Sequence, residues 1–106
     1  MFCIMVSFNF NLNNFPSFEE AERHYLEYHV PLARRLPGLL YYVIGRPADF
    51  GSSVANRHRA GFLGFNDAEA LRAAYLSELG RELRADEKRL ITDLIVTFID
   101  GQQILP

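Results

Sequence analysis

The sequence predicts an α+β fold in which two β-α-β units form a four-stranded antiparallel sheet with the helices on one face. Three observations support this prediction. The first and last segments of the chain alternate apolar residues with a period of two, two helical segments lie between strands, and capping residues precede each helical segment. The order βαββαβ is the ferredoxin-like arrangement. A chain of 106 residues suits one domain, spanning residues 1–106.

The first β-α-β unit begins with an alternating strand over residues 2–10. Ser17 and Glu20 have the spacing of a capping box, which predicts a helix start. Apolar residues then recur at helical spacing until Pro37-Gly38, a pair that stops helices. The segment Leu39–Arg46 predicts a second strand, and it is apolar on both faces.

The second unit follows a polar loop rich in Gly, Pro and Ser, residues 45–57. A third strand is predicted at His58–Phe65 and a fourth at Thr92–Asp100. The fourth strand again carries apolar residues on both faces. The loop has the composition of a mobile connection, and the sequence leaves open whether it covers a pocket or joins an interface.

The helical part of the second unit has two predicted starts. Asn66 and Glu69 have capping-box spacing and predict a first helix. Ser77 predicts the start of a further helical stretch that runs toward Asp86 or Leu90, and Gly80 is expected to weaken it.

Composition excludes several function classes. The net charge is -2, which gives no electrostatic reason to expect nucleic acid or an anionic membrane as a partner. The single cysteine, Cys3, cannot form an internal disulfide, and it predicts a cytoplasmic location. No signal peptide or membrane span is predicted. The sequence lacks a phosphate loop, a dinucleotide fingerprint and a Cys/His cluster, so we expect no cofactor and no metal.

The strands that carry apolar residues on both faces predict a homodimer through the sheet faces. Helices cover one face of the sheet only, and each large apolar residue left in water forfeits about 1.5–3 kcal/mol. A second copy that packs sheet against sheet by two-fold symmetry would bury these residues. The alternative is that the second-face residues lie at edges and stay exposed.

Two segments resemble the EthD family of small dimeric α/β-barrel proteins. These are "HYLEYHVPLARRLPGLLYYVIGRP" and "FNDAEALRAAYLSELGRELRADEKRLITD", which together cover much of the chain. The resemblance implies a ferredoxin-like dimer, the dimeric α/β barrel. Most members of that family have no established reaction, and some fungal relatives are regarded as dehydratases acting on aromatic polyketides. His29 matches the family histidine in His-x-Pro, and Asp86 matches the aspartate before the last strand. Leu90 departs from the aromatic residue that relatives often carry.

His29 is the predicted catalytic residue, as a general acid or base. Tyr25 lies four residues earlier, on the same helix face. Pro31 removes a helical hydrogen bond, so we predict a helix defect at Tyr28–Pro31 that opens a pocket between the helix and the sheet. The alternative is that His29 hydrogen-bonds a freed carbonyl or a strand and is structural.

Three further residues are predicted to bind the substrate, and two histidines are set aside. Tyr25 or Tyr41 would orient His29 or polarise a carbonyl, although core packing explains each tyrosine alone. Asp86 would reach the pocket mouth or pair with an arginine. His24 lies about 140° from His29 on an ideal α-helix and is expected to face outward. His58 is expected at the surface.

The sequence leaves three functions open. The first is a cofactor-free enzyme that acts on a small hydrophobic compound, aromatic or carbonyl-bearing, with His29 as acid or base. The second is a non-catalytic dimeric module that binds such a ligand or serves a catabolic pathway. The third is a structural dimer without a pocket. A cavity that touches His29 favours the first two.

Overall fold

The predicted ferredoxin-like α+β fold is confirmed by the computed structural model, which describes residues 1–51 and 56–105. Residues 52–55 of the predicted loop, and with them its role at a pocket or interface, lie outside the described residues. The sheet has four antiparallel strands in the order β2-β3-β1-β4. The strands are β1 (Phe2–Phe10), β2 (Tyr41–Gly45), β3 (Arg59–Phe65) and β4 (Ile91–Asp100).

Both helical regions lie on one face of this sheet, and each is interrupted. The helices are α1 (Phe18–His24), a π turn (Tyr25–His29), α2 (Val30–Arg34), α3 (Ala68–Leu76) and α4 (Glu78–Leu90). Ser17 caps α1 by accepting from the Glu20 N–H, and Ser77 caps α4 by accepting from the Gly80 N–H. The predicted cap at Asn66 is wrong by one residue. Asp67 caps α3 because its carboxylate reaches the Ala70 N–H.

The predicted helix defect is present, but it lies earlier than expected. The Val30 N–H donates to the Tyr25 carbonyl five residues before it, the hydrogen bond that defines a π turn. Pro31 falls in the first turn of α2, where its missing N–H is tolerated. The irregular turn therefore spans Tyr25–His29 and not Tyr28–Pro31.

The core lies between the helices and the inner face of the sheet. Phe65 from β3 and Leu83 and Leu90 from α4 are fully buried. Gly80, expected to weaken the second helix, is required by this packing. A Cβ at position 80 would collide with the Ala74 carbonyl and the Tyr75 backbone, so the start of α4 approaches the end of α3 closely only because the residue is glycine.

The outer face of the sheet is apolar and exposed in the single subunit. Adjacent strand residues point to opposite faces, so alternate positions of all four strands line this side. Val43 is 61% exposed, Ile95 53% and Tyr41 49%. Among the described residues, no helix combines the length and the apolar character that crossing a membrane would require.

Candidate functional site

A cleft of about 510 Å³ lies between the helices and the inner face of the sheet. Its walls are mostly apolar and come from every strand and from four of the five helical segments. The polar side chains that reach it are few, and they include an imidazole, a carboxyl, three phenols and two guanidinium groups: His29, Glu87, Tyr25, Tyr42, Tyr75, Arg72 and Arg84. An apolar cavity with a few convergent polar groups is the usual form of a small-molecule site.

His29 is buried, and its ring lines the cleft. Nδ1 of His29 lies 2.9 Å from Oδ2 of Asp86. A carboxylate only accepts hydrogen bonds, so Nδ1 of neutral His29 carries the proton. Nε2, the ring nitrogen that does not contact Asp86, is then the basic nitrogen.

Asp86 receives a second histidine on its other oxygen. Nε2 of His24 lies 2.7 Å from Oδ1 of Asp86. Burial alone would raise the pKa of Asp86, but the hydrogen bonds from His29 and His24 hold that pKa below its ordinary value. The carboxylate is therefore ionised at neutral pH and acts as the shared acceptor of the two rings.

His24 was predicted to face outward, but its side chain is only 19% exposed and its ring reaches Asp86, and the π turn is the reason. On an ideal α-helix His24 and His29 would be about 140° apart. A π turn takes one residue more than an α-helical turn, so residues five apart return to one side. The five residues from Tyr25 to His29 form that turn. Both rings consequently meet Asp86 on α4.

Tyr25 supports the His29 ring from the preceding turn. The two rings stack with centroids 5.6 Å apart. Phe8 packs edge-on against the tyrosine, and the Arg59 guanidinium lies 5.4 Å from its ring centre. Burial raises the pKa of Tyr25, which keeps the phenol protonated as a hydrogen-bond donor.

Burial also shifts the pKa values of other polar groups of the cleft toward the neutral form. Burial raises the pKa of Tyr75 to about 12 and that of Tyr42 further, and the hydroxyls of Tyr42 and Tyr25 interact. Burial also raises the pKa of Glu87, and the neighbouring Asp86 carboxylate adds to this effect. The adjacent acidic residues of α4 therefore differ: the pKa of one is lowered behind the histidines, and the pKa of the other is raised at the cleft.

Not every predicted site residue reaches the cleft. Tyr25 and His29 line it, as predicted. Tyr41 lies on the opposite face of the sheet, where it pairs across from Gly64. The neighbouring Tyr42 takes the expected place because adjacent strand residues alternate between faces. Asp86 lies behind the histidines and holds them in place. His58 is half-buried, and its Nδ1 accepts from the Phe10 N–H, which is a structural role.

Besides Tyr42, three residues of the site were missed by the sequence reasoning: Glu87, Tyr75 and His24. Glu87 and Tyr75 lie on α4 and α3, and the helical periodicity of those segments could have placed them on the inward side. His24 could have been found only by predicting the π turn. Within the described residues, no group of three His, Cys, Asp or Glu side chains is arranged to hold a metal ion.

Comparison with known proteins supports the fold. No protein-family model matches the chain, and no curated protein matches it. Solved structures do match over nearly its whole length. An ethyl tert-butyl ether (EthD) family protein from Bacillus halodurans is 21% identical, with a TM-score of 0.69 over 98% of this chain and 100% of the other. A dimeric ferredoxin-like protein of unknown function from Thermobifida fusca is 17% identical, with a TM-score of 0.70 over 92% and 88%.

A third similar structure has a described activity. It is SnoaB, a cofactor-independent oxygenase from Streptomyces nogalater, 17% identical with a TM-score of 0.67 over 99% of this chain and 96% of the other. Identities this low establish a shared fold and nothing finer. The expected similarity to EthD proteins is confirmed at that level.

Proposed function

We propose that the protein binds a small, largely apolar compound with a carbonyl or aromatic group in the cleft, and that His29 moves a proton on it. The observation that carries this proposal is the 2.9 Å contact from Nδ1 of His29 to Asp86, with the same ring lining an apolar cleft. An imidazole whose one nitrogen is held by a carboxylate presents the other as a base, the arrangement in which histidine serves acid–base catalysis.

The surrounding groups suit an electron-rich oxygen on the ligand. The protonated phenols of Tyr42 and Tyr75 can donate hydrogen bonds to a carbonyl or an enolate. Burial raises the pKa of Glu87, which favours the protonated form that can also donate. If His29 breaks a C–H bond next to the carbonyl, Nε2 takes the proton and the electron pair moves onto the oxygen. No cofactor is required for this step. The neighbour described as a cofactor-independent oxygenase has the same fold, which supports the view that this fold can carry a reaction without a cofactor.

The test uses 2-tetralone, an aromatic ketone with exchangeable α-protons, in D₂O. We expect the wild-type protein to accelerate α-proton exchange, followed by NMR, and His29→Gln to lose about 10²–10⁴-fold of that acceleration. Tyr41→Phe, on the opposite face of the sheet, is the matched control and should exchange at the wild-type rate. Exchange at the buffer rate with wild-type protein that binds the ketone would contradict catalysis.

That last outcome would favour a second function, a non-catalytic module that binds a small apolar ligand. The predominantly apolar wall of the cleft supports this reading, because binding of an apolar compound does not need His29. Native mass spectrometry compared with a denatured extract shows whether a compound co-purifies with the protein. A compound retained equally by wild type and His29→Gln would fit the binding module.

We propose further that the protein forms a homodimer through the outer faces of its sheets. The exposed apolar outer face and the neighbour described as dimeric support the dimer. We also propose a location in the reducing cytoplasm, where the single cysteine, Cys3, stays free. Sedimentation at micromolar concentration should give a dimer, and Val43→Asp should shift it toward monomer. Leu12→Asp, an equally apolar exposed position outside that face, is the control.

A further inference from the structure

The two histidines that meet at Asp86 face different surroundings. His29 lines the cleft between helices and sheet. His24 borders an open, polar depression of the surface together with residues such as Glu20, Arg23 and Arg89. The His24 side chain is 19% exposed, compared with 8% for His29 and 5% for Asp86. The carboxylate therefore lies between an outer ring and an inner ring.

Packing holds the outer ring in one orientation. Its centroid lies 5.2 Å from that of Phe15 and 5.0 Å from that of Tyr28. From this position Nε2 of His24 donates to Oδ1 of Asp86 over 2.7 Å. The inner ring uses the other oxygen, Oδ2.

A buried carboxylate with one free oxygen could turn about its χ2 torsion and take water or another donor. Terminal torsions of this kind are broad, so hydrogen bonds must fix the orientation. With each oxygen held by a different ring, the plane of the Asp86 carboxylate is fixed. The partner of one ring nitrogen decides which nitrogen of that ring carries the proton. Fixing Asp86 therefore fixes the tautomer of His29.

We propose that His24 is a positioning residue for the cleft: by holding Oδ1 of Asp86, it keeps Oδ2 on Nδ1 of His29 and leaves Nε2 of His29 as the base. The catalytic consequence rests on the proposed function, but the geometric claim does not. In their neutral forms the two histidines have opposite tautomers. His24 carries its proton on Nε2 and His29 carries its proton on Nδ1, because each nitrogen that faces an ionised carboxylate must donate.

Nitrogen-15 NMR of the full chain tests this without a substrate. At about pH 8, above the ordinary range of histidine titration, the ring nitrogens report the tautomer directly. We expect the Nε2–H form for His24 and the Nδ1–H form for His29. The Nδ1–H form for His24 in the wild-type protein would overturn the proposal, and this readout needs no variant.

Two substitutions separate positioning from packing. His24→Gln places an amide N–H at similar reach and should keep the Nδ1–H form of His29. His24→Phe keeps a ring without a donor, and His29 should then populate both tautomers. With 2-tetralone, exchange should fall about 10–100-fold in the phenylalanine variant and recover in the glutamine variant, since misplacing a catalytic group can cost about 10²-fold.

The outcomes separate this proposal from the proposed function. A changed His29 tautomer in His24→Phe, with no exchange activity even in wild type, supports the positioning role and contradicts catalysis. An unchanged tautomer in a folded His24→Phe overturns the positioning role whatever the activity. If the phenylalanine variant does not fold, His24→Gln decides, because a mixed His29 tautomer there contradicts the proposal.

Discussion

The two helical regions of the molecule are each interrupted once, in different ways and with different results. In the first region, the π turn at Tyr25–His29 leaves the helix continuous and changes which side chains share a face. In the second, Ser77 takes an extended conformation, ends α3 and caps α4. One interruption rotates two histidines toward a common partner, and the other begins the helix that supplies that partner, Asp86. The site therefore depends on both irregularities together.

The largest loss of stability is expected at Gly80, where the start of α4 packs closely against the end of α3. Gly80→Ala should lower the free energy of unfolding by about 3 kcal/mol, the upper end for overpacking, since the new Cβ meets backbone atoms of Ala74 and Tyr75 that cannot move aside cheaply. Urea denaturation measures the change. Gly45→Ala is the control, because a Cβ there meets nothing within 4 Å. Equal stability of the two variants would show that the α3–α4 approach is not tight.

The next largest loss of stability is expected at Asp86, which joins the two helical regions through its contacts with His24 and His29. Asp86→Asn should cost about 1.5–3 kcal/mol, because an amide offers one acceptor oxygen and its NH₂ group faces a histidine N–H. Asp67→Asn, at a helix cap that accepts Asn equally well, should change stability little. Thermal or urea unfolding of the pair isolates the loss at the histidines. A cost at Asp67 as large as that at Asp86 would contradict this account.

Smaller losses of stability are expected when the serine caps of α4 and α1 are removed, and the two losses should differ. Ser77→Ala should cost about 1–2 kcal/mol and Ser17→Ala about 0.5–1 kcal/mol. Both hydroxyls accept from a backbone N–H, but the Ser77 hydroxyl also donates to the Ala74 carbonyl and is partly buried. Urea midpoints measured side by side test the order. A larger loss of stability for Ser17→Ala than for Ser77→Ala would contradict this prediction.

The smallest predicted effect is the pH dependence of stability, which has opposite signs for the adjacent residues Asp86 and Glu87. The folded pKa of Asp86 is lowered, so its contribution to stability is present above the unfolded pKa of about 3.9 and is lost as the pH falls through the folded value. The folded pKa of Glu87 is raised, so its contribution is present below the unfolded pKa of about 4.3 and is lost as the pH rises through the folded value.

At pH 7, Glu87→Gln should therefore be more stable than the wild type, with the difference vanishing toward acid pH. Asp86→Asn should be less stable at pH 7, with the deficit shrinking below about pH 4. Unfolding curves across pH 3–8 measure both. Two differences of the same sign at pH 7 would show that the two carboxyl groups do not have the separate environments described above.

The sequence by itself determined the order of the elements and most of their ends. Period-two alternation, capping serines and the Pro37-Gly38 stop are local signals, and the structure confirms the sheet, both serine caps and an irregular helix near Pro31. Local signals also placed Tyr25 and His29 on one side of the helix, and in the structure their rings stack with centroids 5.6 Å apart.

Only the tertiary structure decided which side chains meet. The phase of a strand selects Tyr42 over Tyr41, and one residue of slip reverses that choice. The π turn brings His24 to Asp86, 62 positions away along the chain, through a hydrogen bond that no local periodicity contains. The environments of Asp86 and Glu87 differ because one carboxyl faces two donors and the other an apolar cleft. Burial and partners of this kind exist only once the elements have packed.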